Sequence, residues 1–301
     1  MILKNYNHLT SLALLVALTV GLFSCGGGGK KDESASGEFT EAQQQVAEDI
    51  DKVIHDLPAP SEIPFMLQAT GSEFNPELIS SLEGMESYKT SIDKSAMNLG
   101  VYATDVGYLA SYEQVQDALL YMEACQGLAE TVGIASSFDL DLLSRFEENL
   151  GNRDSLANLL NDALVVAESR LENDDRLNSA ALVLAGAFVE GLYLSTMVVE
   201  TYPDDLLPEE SMNLILEPLI KIVLDQKKPL TDLIALMGDL PEDDMINYMI
   251  GELNVLKLIY EDELDEIGDK IKTNTGDFVL TKNDLATITY EVKRIRGVIT
   301  E

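Results

Sequence analysis

The chain has no tryptophan, two cysteines, two histidines, and 20 lysines and arginines against 53 aspartates and glutamates in 301 residues. Each scarcity removes a class of chemistry. The cysteines and histidines are too few for a zinc-type cluster, and no P-loop or dinucleotide fingerprint occurs. His8 lies among the first 24 residues, so a Ser-His-Asp or Cys-His site in the rest of the chain would have to use His55. Its neighbours Ile54, Asp56, Leu57 and Pro58 read as a helix end, where an imidazole complements the dipole. Neither a Glu-x-x-His pair for a di-iron bundle nor a His-x-x-Glu motif is present. A carboxylate-only hydrolase needs just two acids, but without tryptophan it lacks the large flat faces on which sugars are commonly gripped.

Positive charge is the other scarcity. A formal charge of −33 makes nucleic acid a poor partner, because phosphate binding depends on clustered Lys and Arg. Direct adsorption to anionic headgroups is disfavoured for the same reason. The acids are spread along the chain, which reads first as solubility and second as weak divalent-ion binding. The run Glu261-Asp262-Glu263-Leu264-Asp265-Glu266 is rich in oxygen ligands. It lacks the spacing and glycine of a calcium loop and reads as a solvated helix face. No metal and no cofactor are expected.

What is present begins at the N-terminus. Lys4 gives a short positive start, Leu12 to Leu22 supplies an apolar run too short to span a bilayer, and no acid occurs before Asp32. Leu22-Phe23-Ser24-Cys25 follows. These residues resemble a bacterial lipoprotein signal peptide with its lipobox, which implies cleavage after Ser24 and lipidation of Cys25. An ordinary secretory leader with a chance cysteine is the alternative. Residues 25–39, rich in Gly, Ser and charge, read as a flexible tether. Lys31-Asp32-Glu33 is similar to the Lys-then-acid export signal of surface lipoproteins of the Bacteroidota, displaced by four glycines, so periplasm-facing and cell-surface locations at the outer membrane both stay open. The run Asn98-Leu99-Gly100-Val101-Tyr102-Ala103 through Tyr108 resembles helical lipoproteins of that phylum that carry no known activity, and it implies no catalytic residues.

With Cys25 lipidated, Cys125 has no disulfide partner and reads as a small buried hydrophobe near Leu119, Met122 and Ala129. From Phe39 onward the hydrophobic period is helical almost throughout. Val46, Ile50, Val53, Ile54 and Leu57 make a first stripe, with Thr40 and Gln43 as a capping box. Pro58, Pro60 and Pro64 then break the chain, and Asn75-Pro76-Glu77 restarts a helix. Further helices are predicted over 90–110, 113–132, 139–150, 155–173, 177–201, 209–226, 230–238, 241–271 and 282–299. Gly133 and Gly151 stand where C-caps belong, and Pro218 should kink or divide its helix. Gly276 to Leu280 hints at an extended segment. Leu207–Met212 and Leu240–Met245 look alike at an offset of 33 residues, which Pro and acids at two helix starts explain without a repeat.

Two helices stand out. Ala96, Gly100, Ala103, Gly107 and Ala110 form a row of small residues on one narrow face, which predicts a tight internal helix pair, with a dimer seam as the rival. Asp105 falls opposite with Asn98 and Lys94, so it is expected to be solvated. Ala180 to Val199 is apolar all round except Glu190, and reads as a central core helix rather than a membrane span. A buried Glu190 needs a partner, for which Arg170 and Arg176 are candidates.

The expected fold is all-α, a multi-helix bundle or irregular stack of helical hairpins around a buried central helix. A single domain over 40–301 follows a leader over 1–24 and a tether over 25–39. The expected function is that of a lipid-anchored interaction or scaffold protein with a protein partner in the envelope. The rivals are a module binding an apolar or small ligand, lined by Tyr102, Tyr108, Tyr112 and Tyr193, and a carboxylate-based enzyme.

Overall fold

The structure, a computed structural model, describes residues 62–134, 144–146, 148–149, 152, 155–156, 158–159, 162, 176–203, 209–273 and 279–301. The leader, Cys25, the tether, the first helical stripe with His55, Gly151, Arg170, most of the two helices expected over 139–173 and most of the segment 276–280 lie outside the described residues. Among the described residues there is helix and no strand.

Helix α1, Glu62–Ala69, contains Pro64 and leads into a loop held by short 3-10 turns at Pro76–Leu78 and Leu82–Gly84. Asn75 opens the first of these as expected, its side chain accepting from the Glu77 N–H. A single helical turn, Met85–Tyr88, precedes α2, Ile92–Ser111. Ser91 starts α2 from an extended backbone, its hydroxyl accepting from the Lys94 N–H. Helix α3, Val115–Val132, ends at Gly133, whose φ of +89° is the left-handed cap that glycine adopts freely. The Arg176 guanidinium fills the space where a Cβ on Gly133 would stand and donates to the carbonyl of Val132.

The second half comprises α4 (Leu177–Thr201), α5 (Glu209–Leu224), α6 (Lys227–Asp239), α7 (Asp244–Ile259), α8 (Asp265–Thr273) and α9 (Ala286–Thr300). The helix expected over 241–271 is helical throughout from Asp244 to Thr273, with one change of winding that marks α7 off from α8. Asp243 caps α7 by accepting from the Met245 and Ile246 N–H groups, and a wide π-type turn at Tyr260–Leu264 separates α7 from α8. Pro218 sits inside α5 without dividing it. The carbonyl that Pro218 leaves without a donor belongs to Leu214, which is 80% exposed, so water can serve it.

Helices α2 and α4 form the centre. Helix α1 packs on both, α3 packs on α2, and α5, α6 and α9 pack on α4, with α7 against α6 and α9. Covered in this way, α4 buries its apolar residues all round, as an apolar helix of a globular core must. The expected row of small residues lies at the centre. A Cβ on Gly100 would stand 2.0 Å from the carbonyl oxygen of Val183, and one on Gly186 would stand 2.0 Å from that of Met97. The two backbones touch directly, and these atoms cannot give way as a side chain could.

Gly100→Ala and Gly186→Ala should each cost about 3 kcal/mol, because the added methyl group forces two main chains apart. Gly251→Ala, in the exposed middle of α7 with nothing within 4 Å, should instead gain about 0.5–1 kcal/mol from helix propensity. Denaturant midpoints of the three variants check this. Equal effects at all three positions would show that α2 and α4 do not approach so closely.

Candidate functional site

Beyond the glycine contact, α2 and α4 each present a carboxyl group to the same space. These are Asp105, five residues past Gly100, and Glu190, four residues past Gly186. Neither has exposed surface. A buried carboxylate without a partner costs several kcal/mol, and Arg296 of α9 supplies the cation. Its Nε donates to Glu190 Oε2 at 2.6 Å and its Nη2 to Glu190 Oε1 at 2.9 Å, a two-pronged pair. Nη2 also donates to Ser80 Oγ at 2.6 Å and to the Leu78 carbonyl at 3.3 Å. The guanidinium lies 4.0 Å from the centre of the Tyr193 ring, whose negative face suits it.

Two acids and one cation leave one charge too many. Burial and the Glu190 charge together push the Asp105 pKa well above the carboxylate range, against the smaller pull of Arg296 and of the Ser80 N–H. Asp105 Oδ2 accepts from Ser80 N at 3.0 Å. As an ion, its Oδ1 would have no partner among the described residues. Protonated, Asp105 has a proton to offer the nearby Glu190 carboxylate, and the cluster becomes electrically neutral. For Arg296, burial works against the charge, but Glu190 outweighs it and the pKa stays above the ordinary value.

The cluster organises the loop before α2. An irregular loop cannot pair its own backbone groups, so side chains must do it. Ser80 N is held by Asp105, the Ser80 carbonyl by the Tyr121 hydroxyl, the Ser81 carbonyl by the Tyr102 hydroxyl at 2.9 Å, and Asn75 N by the Tyr108 oxygen at 3.1 Å. Tyr112 meets Ser72 Oγ at 2.5 Å. The C-terminal carbonyls of α9 are also tied down. Asn98 Nδ2 donates to the Ile299 carbonyl at 2.8 Å and Tyr88 to that of Thr300 at 2.6 Å, which fixes the helix that carries Arg296.

Asp105 is therefore corrected from solvated to buried, and Asn98 on the same side is buried too. Loop 72–81 and α9 cover the side of α2 opposite its small-residue row, so that side is interior too. Arg176 is not the partner of Glu190, since its guanidinium reaches the end of α3. Ala96, Gly107 and Ala110 are buried and Ala103 nearly so. Tyr102, Tyr108 and Tyr193 are buried and committed to the loop or to Arg296, and Tyr112 packs beside Phe74 and Tyr108. Cys125 is buried and free, and burial pushes its thiol pKa up, which leaves it unreactive.

Arg296 was missed because its partners lie far away in sequence. The one signal was its position at the edge of the apolar stripe Ile288, Val292, Ile295 and Ile299. Two clefts lie elsewhere. One, of about 580 Å³, is lined by Leu224, Tyr260, Leu264 and Ile271 with Lys–Asp pairs on its rim, and one of about 290 Å³ by Phe74, Leu78, Val198 and Tyr202. Neither lining includes Asp105, Glu190 or Arg296. A closed, neutralised cluster of this kind can hold elements together.

Arg296→Met should destabilise the fold by about 3–5 kcal/mol, because it strands Glu190. The double variant Glu190→Leu with Arg296→Met should recover most of that loss, and failure to recover would mean the pair is not the unit that matters. Asp105→Asn tests the buried proton. The folded pKa is raised, so Asp105 stabilises the fold fully below about pH 4, where the unfolded carboxyl titrates. Above that point each pH unit costs about 1.4 kcal/mol until the folded group also ionises. Asp105→Asn should match the parent near pH 4 and exceed it increasingly toward neutrality in urea unfolding. A constant difference would show that Asp105 ionises normally. Compared with protein-family models, curated proteins and solved structures, the chain gives no match, so the reading of this cluster rests on its geometry.

Proposed function

We propose that the protein is a lipid-anchored interaction or scaffold protein of the bacterial outer membrane. The observation that carries the reading is the lipobox ending at Cys25, followed by a tether and an acidic helical body. Several acyl chains hold a protein at a bilayer where one holds it only marginally. Burial of α4 supports a lipid, rather than a spanning helix, as the attachment. The enclosed state of Glu190, Asp105 and Arg296 supports a structural role for the one unusual charge cluster. The tyrosines considered for a ligand lining are used inside the core, which favours the interaction reading over the apolar-ligand one.

Chemical cross-linking in intact cells, with mass spectrometry of the purified lipoprotein, tests this. The expected results are a mature chain that starts at acylated Cys25 and a recurrent, near-stoichiometric envelope partner. A mature terminus without lipid would overturn the anchor. Self-links alone, with adequate labelling, would overturn the scaffold role.

A further inference from the structure

Helix α7 keeps one face out of the core. Its outermost row is Tyr248, Gly251, Val255 and Leu258, at spacings of three, four and three, the interval by which one helix seats on another. Tyr248 is 43% exposed, Val255 37% and Leu258 58%. A Cβ on Gly251 would meet nothing within 4 Å, so the row has a notch at its middle where another backbone could come close. The row runs about 15 Å at the helical rise of 1.5 Å per residue. Asp244 precedes it by four residues and Asp262 follows it by four, both exposed.

The aromatic end adjoins a charged cluster. Tyr248 stands near Glu252, which Arg294 of α9 grips with both terminal nitrogens while its Nε donates to Glu291 at 2.8 Å. A tyrosine beside an arginine is the composition of an interface anchor.

Charge decides the occupant. Anionic headgroups face a chain of formal charge −33 and a row capped by aspartate at both ends. A second copy fares no better. Laid antiparallel, two such rows set Asp244 against Asp262, and laid parallel they set each aspartate against itself. A helix with basic flanks meets both caps favourably.

Building on the interaction reading above, we propose that the α7 ridge docks an amphipathic helix of a partner protein, apolar at the same three-four spacing and carrying Lys or Arg at positions that meet Asp244 and Asp262. The test places the photo-cross-linker p-benzoylphenylalanine at position 248, 255 or 258 of the full chain in cells, with position 120 on α3, also an exposed leucine, as control. Links from the three ridge positions should converge on one basic, heptad-patterned segment that position 120 does not reach. Asp244→Asn combined with Asp262→Lys should cut the yield roughly tenfold while the circular dichroism stays unchanged. Links to lipid, to a second copy or to a segment without basic residues would overturn the proposal, as would a yield indifferent to the charge change. A partner captured in the amine cross-linking experiment through another face would overturn the ridge and leave the interaction reading standing.

Discussion

The contact between Gly100 and Gly186 sets the conditions for everything around it. With no side chain on either residue, the main chains of α2 and α4 meet, each glycine facing a carbonyl oxygen of the other helix. Elsewhere along the same two helices stand Asp105 and Glu190, and this carboxyl pair demands a cation and a proton. Arg296 supplies the first and Asp105 retains the second. Through Arg296 and Ser80 the same demand fixes α9 and loop 72–81.

A chain so poor in cations has to place them with care, and α9 shows how. Residues two apart on a helix point to nearly opposite sides. Arg296 points inward to Glu190 of α4, and Arg294 points outward to Glu252 of α7. Lys293 reaches Glu200 at the end of α4. One short helix therefore joins two acidic neighbours with three positive charges. The exposed pairs contribute a few tenths of a kcal/mol to about 1 kcal/mol each. The buried one differs in kind, since removing Arg296 leaves on Glu190 a charge that water cannot reach.

The parts of this arrangement that were legible in sequence were the local ones. Helix periodicity placed α2, α3, α4 and α9 within a few residues, Gly133 marked a cap, and the small-residue row marked the face where α2 meets a neighbour. Glu190 in an apolar helix announced that a partner was needed. The partner itself had no local signal, because Arg296 lies 106 residues away and the nearer arginines made more obvious candidates. Asp105 was misplaced because a helical wheel divides a helix into an inside and an outside. Helix α2 is enclosed on both sides, by α4 on one and by loop 72–81 with α9 on the other, so its polar side is interior and its acid is buried.

A buried network of this composition is an inefficient way to gain stability, since well-packed apolar residues of similar volume do as well or better. Its value lies in register. The row Ala96, Gly100, Ala103, Gly107 and Ala110 offers small residues at every turn, so by packing alone α4 could shift along α2 by one turn and still find a narrow face. A shift of one turn moves side chains by 5.4 Å, beyond any hydrogen bond. It would part Asp105 from Glu190, strand Arg296 between them and leave Ser80 and Leu78 without their partners. Only one register satisfies all of these groups at once. The seam makes close approach possible, and the carboxyl pair with its arginine selects which approach is made.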